Sequence, residues 1–186
     1  MSSTLARVST FVAKPHYVGD PSKISYEQDG CAVKIKPQGL NIVWGGTDKR
    51  YWKIPDSGPA VLIQVSWLEV TARIPLSKLD PEKKYKVSFD VSLKADAFGW
   101  NEIPIHIMAK IGRRGKYKWQ PHVLGVPTNP PFKIPLSLDE PIQITKDEKN
   151  SGDSLYFGLY EVWRGTWKGG LQVEEARVEV VPLSCN

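Results

Sequence analysis

Apolar and polar residues alternate along this chain with a period of two, in short runs divided by turn residues. That pattern predicts strands, because successive side chains of a strand point to opposite faces. The clearest run is 84–94, KYKVSFDVSLK, where Tyr85, Val87, Phe89, Val91 and Leu93 alternate with charged or hydroxyl-bearing residues. Cys31 to Pro37 alternates apolar with basic residues, and Leu40 to Trp44 is a second short strand. It runs into Gly45-Gly46-Thr47-Asp48, a turn by composition. Ile103, Ile105 and Ile107 repeat the pattern, and Pro104 places that strand at a sheet edge or at its own start. Leu155, Phe157 and Leu159 alternate again, with Glu161 and Trp163 in phase. Phe132–Leu138 and Ile142–Thr145 are weaker strand candidates.

Two runs change phase. Val61, Ile63, Val65 and Trp67 share one face, then Leu68, Val70, Ala72 and Ile74 take over. Read as one long strand, Val61 to Ile74 requires a β-bulge or burial on both faces. The last run passes from Leu171 and Val173 to Ala176, Val178 and Val180, which calls for a second bulge. Residues 1–30 lack sustained periodicity and read as an N-terminal arm, poorly ordered or extended. Residues 112–131 read as a long loop, and no window has helical periodicity. The expectation is an all-β, single-domain sandwich or barrel over residues 31–183.

Composition adds to this in several respects. A chain of 186 residues suits one domain, and its 15 Pro and 15 Gly are spread as turns between strands are. The net charge of +5 is mild and bears mainly on solubility. Seven tryptophans exceed what so small a core needs, and surface aromatics mark binding faces. Cys31 and Cys185 would pair only if the first and last strands are neighbours; the composition favours two free thiols. No run approaches the ~20 apolar residues of a membrane span, and the first residues lack the apolar core of a secretory signal. The free-thiol reading goes with a reducing compartment.

The three histidines, His16, His106 and His122, have no metal-type spacing, and HExxH, GxSxG, Walker and Rossmann patterns are all missing. The chain is thus read as non-catalytic, with no metal and no cofactor. His106 lies between two core-facing isoleucines and reads as a solvent-facing strand residue. Glu69, Glu102 and Glu161 are carboxylates of the kind a glycosidase pairs, but their spacing pairs none of them. Trp67 and Trp100 read as core. Trp44 and Trp52 flank one turn, and Trp163 and Trp167 flank another that continues into Lys168. A sugar offers apolar C–H faces and many hydroxyls, so its site needs flat aromatics beside fixed polar groups. Asn41, Arg50, Tyr51, Glu161 and Lys168 stand beside these tryptophans in sequence. A competing signal is Arg113-Arg114-Gly115-Lys116-Tyr117-Lys118-Trp119, where basic residues interleave with aromatics in a pattern that suits single-stranded nucleic acid. A solvated charged loop gives the same pattern.

Four stretches carry a family likeness: LNIVWGGTDKRYWKIP at 40–55, VLIQVSWLEVTARIPLSKLDPEKKYKVSFDVSLK at 61–94, AFGW at 97–100, and LYFGLYEVWRGTWKGGLQVEEARVEVVP at 155–182. In that order they resemble the plant phloem protein 2 family, which includes the phloem lectins of cucurbits and the jasmonate-inducible tobacco lectin. The resemblance implies a β-sandwich of jelly-roll type. It implies binding of N-acetylglucosamine oligomers or the N-glycan cores of glycoproteins. For a member without a signal peptide it further implies a cytoplasmic site of action in phloem sieve elements or companion cells, with the nucleus as another place, and frequent homodimers. Trp44 and Trp52 match two tryptophans that the family links to sugar binding, Glu161 an acidic residue near the site, and Trp167-Lys168 the W-K turn. The family usually reads W-G-N-D-x-R-Y-W where this chain has one residue more between Trp44 and Trp52. The carbohydrate-binding set is then Asn41, Trp44, Arg50, Tyr51, Trp52, Glu161, Trp163, Trp167 and Lys168. The alternatives are single-stranded RNA binding and a self-associating structural phloem protein.

Overall fold

A computed structural model of the chain describes residues 14–27, 30–125, 127–137 and 141–181. The described residues form twelve strands. The first six are β1 (Ile24–Tyr26), β2 (Ala32–Ile35), β3 (Asn41–Ile42), β4 (Trp52–Lys53), β5 (Ala60–Leu62) and β6 (Leu68–Pro75). Then come β7 (Tyr85–Phe98), β8 (Pro104–Ile111), β9 (Lys118–Val123), β10 (Thr128–Pro135), β11 (Ser154–Glu161) and β12 (Gly169–Val180). They make two antiparallel sheets packed as an all-β sandwich of jelly-roll type. The five-stranded sheet runs β3-β6-β11-β8-β9. The seven-stranded sheet is built on β12, which has β7 and then β10 along one edge, and β5 with β4, then β2 with β1, along the other.

The core lies between the sheets and is made by the alternation seen in the sequence. Tyr85, Val87, Phe89, Val91 and Leu93 of β7 are buried, as are Leu155, Phe157 and Leu159 of β11. The Phe89 and Phe157 rings meet edge to face across the sandwich, 6.0 Å between centroids. Each such side chain contributes about 1.5–3 kcal/mol by leaving water.

Of the two expected phase changes, one is a bulge and the other is not a change in the buried face. In β12 the register on β7 shifts between Val173 and Glu175, so a bulge does flip the buried face there. Val61 to Ile74, by contrast, is not one strand. Its first part is β5 of the seven-stranded sheet and its second is β6 of the five-stranded sheet. The expected face of Val61, Ile63, Val65 and Trp67 is a correction too: β5 buries Ala60 and Leu62, in step with Leu68, Val70, Ala72 and Ile74 of β6, while Ile63 and Trp67 are exposed and only Val65, in the crossing, is buried.

The 112–131 region is a second correction, since β9 and the start of β10 fall inside it. Among the described residues β9 pairs only with β8, and it is mostly exposed, so no apolar alternation marks it. β10 begins Thr-Asn-Pro-Pro and, among the described residues, pairs with β7 alone, an edge place that tolerates proline. One short helix, α1 (Lys146–Asn150), also interrupts the strands, with Thr145 and Glu148 closing a capping box at its start. Five residues are too few to show helical periodicity. Pro104 is the first residue of β8, as its ring requires. Within the lead-in, β1 pairs with β2, and Tyr17 forms a bridge to Ile42. Cys31 is an exposed free thiol, while Cys185 lies outside the described residues.

Candidate functional site

The crossing segment and two turns meet at one end of the sandwich. Val65 exchanges backbone hydrogen bonds with Lys168, at 3.0 and 2.9 Å, which joins the crossing to the turn before β12. Beneath that junction, the fully buried Lys168 ammonium pairs with the buried Glu161 carboxylate and donates to the Ser66 carbonyl at 3.3 Å. The Arg164 N–H donates to Glu161 Oε1 at 3.2 Å. This one ion pair therefore pins the end of β11, the 163–168 turn and the crossing to each other. Glu161 continues the inward phase of Leu155, Phe157 and Leu159, which is why a carboxylate enters the core here.

Above the ion pair lies a groove of about 370 Å³, walled by Val43, Trp44, Tyr51, Val65, Ser66, Trp67 and Trp167. Three of its indoles are open to solvent: Trp44 is 40% exposed, Trp67 46% and Trp167 52%. The Trp44 ring leans on Tyr51 at 5.6 Å and meets His16 edge to face, also at 5.6 Å. Its backbone sits at φ +63°, with its N–H donating to His16 Nδ1 at 3.2 Å. Left-handed backbone is rare for a bulky residue, and strain of this kind gathers at functional sites. The Trp67 indole N–H donates to Glu69 Oε2 at 3.0 Å, which fixes that ring's tilt. On the rim, Arg50 forks onto Asp48 and holds its carboxyl below the ordinary carboxylate range.

The sequence-derived set therefore divides. Trp44, Tyr51 and Trp167 come together in the groove, with Arg50 nearby. Trp52 does not join them. It is wholly buried in β4, paired with Leu62, and its indole N–H has no hydrogen-bond partner among the described residues. A ring with no exposed surface cannot stack on a sugar, so Trp52 is core. Glu161 and Lys168 are buried as well, and they position the walls instead of bonding hydroxyls. Asn41 stands on the outer side of the five-stranded sheet, accepting from the Gly19 N–H at 3.0 Å.

Trp163 belongs to a neighbouring cluster, in which the His106 ring lies 4.7 Å from Trp163 and 5.6 Å from Trp119. His106 is thus no simple solvent-facing residue. Partial burial lowers its pKa, against the pull of the Glu161 charge. Trp67 is the residue that pattern reading missed, because it shares a phase with Val61, Ile63 and Val65 and so resembles core. Its parity with Glu69, Thr71 and Arg73, the outward residues of β6, was the available signal. Trp100 is core as expected, its N–H donating to the Gly169 carbonyl at 2.8 Å.

Among the described residues no group of three His, Cys, Asp or Glu side chains is placed to hold a metal. No described helix is long and apolar enough to cross a membrane.

Known proteins are similar to this chain in sequence. The family model for phloem protein 2 matches residues 31–182. Protein phloem protein 2-like A9 of Arabidopsis thaliana is 41% identical over 180 residues, which cover 89% of this chain and 96% of that protein. Protein phloem protein 2-like A1 of the same plant is 28% identical over 80% of this chain and 61% of its own length. A lectin of Luffa acutangula is 37% identical over 79 residues, 39% of this chain and 37% of the lectin. On the extent of these matches, the chain belongs to the phloem protein 2 family.

Proposed function

We propose that this protein is a non-catalytic lectin that binds N-acetylglucosamine oligomers or the N-glycan cores of glycoproteins. The observation that carries this reading is the groove of Trp44, Trp67 and Trp167, three exposed indoles converging on one hollow. Flat apolar rings suit the C–H faces of a pyranose, and the Ser66 and Tyr51 hydroxyls with the Arg50 guanidinium offer polar partners at the edge. A volume near 370 Å³ is at the small end of ligand sites, which fits a short run of sugar residues. The Luffa relative, described as a lectin, supports the ligand class. Hydrolysis is disfavoured by chemistry, because Glu161 is buried and committed to Lys168, while Glu69 is committed to an indole N–H. The same reading brings a cytoplasmic site of action in phloem and a homodimer as proposals.

Calorimetric titration of chitotriose into wild type and Trp167→Ala tests the assignment. Wild type should release heat with saturable binding, and the variant should bind at least about tenfold more weakly, about 1.4 kcal/mol. Silent wild type, or equal affinity in both, would remove the groove as the site.

A further inference from the structure

The outer face of the five-stranded sheet has a chemistry of its own. Val70, Ala72 and Ile74 of β6 and Leu155, Phe157 and Leu159 of β11 face the core, so the residues between them face outward. Register places these in rows across β6, β11 and β8. One row is Arg73, Tyr156 and Lys110, the next Thr71, Gly158 and Met108, and the third Glu69, Tyr160 and His106. Tyr156 and Tyr160 are four residues apart, about 13 Å along the strand. Between them Gly158 leaves the floor without a side chain. A Cβ there would lie 2.5 Å from the Val70 carbonyl oxygen and 3.1 Å from the Tyr160 ring. The Tyr160 ring therefore reaches over bare backbone, as glycine inside a strand permits.

This face is the bottom of a trough of about 1130 Å³. The chain around Val18 to Tyr26 walls one side, and Arg113, Tyr117 and Asp153 wall the other. The Tyr117 ring meets Tyr160 at 6.4 Å. Burial and the neighbouring Tyr117 hydroxyl raise the Tyr160 pKa, so its hydroxyl keeps its proton. Asp153 accepts from the Arg113 and Ser154 N–H groups at 2.9 and 2.8 Å, which stiffens that rim.

The geometry points to a second binding site, separate from the tryptophan groove, for an extended neutral oligosaccharide lying along this sheet. Three tyrosine rings offer stacking surface, and Asn41, Thr71 and Arg73 offer donors and acceptors for hydroxyls. The volume exceeds that of ordinary small-molecule pockets, so it suits a chain of sugars over a single ring. Glu69 and Asp153 stand against Arg73 and Arg113 in the lining. Lys110, whose ammonium lies over the Tyr117 and Tyr156 rings, adds one further cation at that edge. Two carboxylates in the wall oppose a polyanion, so a neutral glycan is favoured over single-stranded nucleic acid.

Backbone amide shifts in a ¹⁵N-labelled sample read the two sites apart. The probes are chitohexaose, cellohexaose, xylohexaose, mannohexaose, the matching disaccharides, and a twelve-residue oligouridylate. At least one hexasaccharide should shift the amides of Thr71, Arg73 and Gly158, and its disaccharide should not. These shifts should persist in Trp167→Ala, which removes a groove wall, whether or not the groove itself binds sugar. Arg73→Ala, an exposed change, and Tyr156→Ala should each weaken them at least about tenfold while the spectrum stays dispersed. The proposal is overturned if no hexasaccharide moves these amides, if Trp167→Ala abolishes the shifts, or if oligouridylate alone produces them.

Discussion

Trp44 combines two properties that rarely coincide: an exposed aromatic ring and left-handed backbone. That backbone costs a non-glycine residue about 1–3 kcal/mol, held in place here by the His16 contact and the Tyr51 ring. If the strain serves presentation of the ring, removing ring and strain together should separate binding from stability. Trp44→Gly is expected to hold or raise the melting temperature, since glycine adopts positive φ freely. It should also bind chitotriose at least about tenfold more weakly. A fall in melting temperature with unchanged affinity would show Trp44 to be a structural plug. Beside it, Trp52 illustrates why eight positions of sequence separation say little about shared surface. One ring ends in solvent and the other in the core because Trp52 sits at an inward register position opposite Leu62.

At the scale of elements, the crossing Ile63–Trp67, the end of β11 and the 163–168 turn have no common sheet. The Glu161–Lys168 pair joins them. Lys168→Met leaves Glu161 buried without its partner, and breaking a buried pair in this way typically costs about 3–5 kcal/mol. Chemical denaturation should show that loss, and the double change Glu161→Leu with Lys168→Met should recover most of it. A single variant as stable as wild type would mean that the pair does not hold the walls. The strands themselves were largely legible, because β7 and β11 have one dry face and one wet face and so record their own orientation. The burial of Glu161 was also implicit, in phase with Leu155, Phe157 and Leu159. The crossing was hidden, since the apolar side chains of Val61 and Ile63 imitate a core face while β5 buries Ala60 and Leu62. β9 was hidden too: both of its faces are largely wet, so no apolar period marks Lys118–Val123. Of the site, the turns bearing Trp44 and Trp167 were readable from composition. The recruitment of Trp67 depends on contacts far apart in sequence, which no local window contains.

For the whole molecule, the groove and the sheet trough meet at Trp67 and Glu69, adjacent outward positions joined by the indole N–H bond. A glycan long enough to engage both would make its second contact intramolecularly, at an effective concentration of order millimolar. The distribution of tryptophan has an optical consequence. Of the seven, Trp44, Trp67, Trp119, Trp163 and Trp167 are exposed, while Trp52 and Trp100 are buried. The native protein should therefore emit as two populations, a red-shifted majority open to acrylamide and a blue-shifted minority shielded from it. Sugar in the groove would cover three of the five open indoles and leave Trp119 and Trp163 as they were. Stern–Volmer quenching with chitotriose should thus lose part, but not all, of its accessible fraction, and an unaltered fraction would speak against groove occupancy. The chain carries its own reporter, and binding can be followed by its intrinsic light without any label.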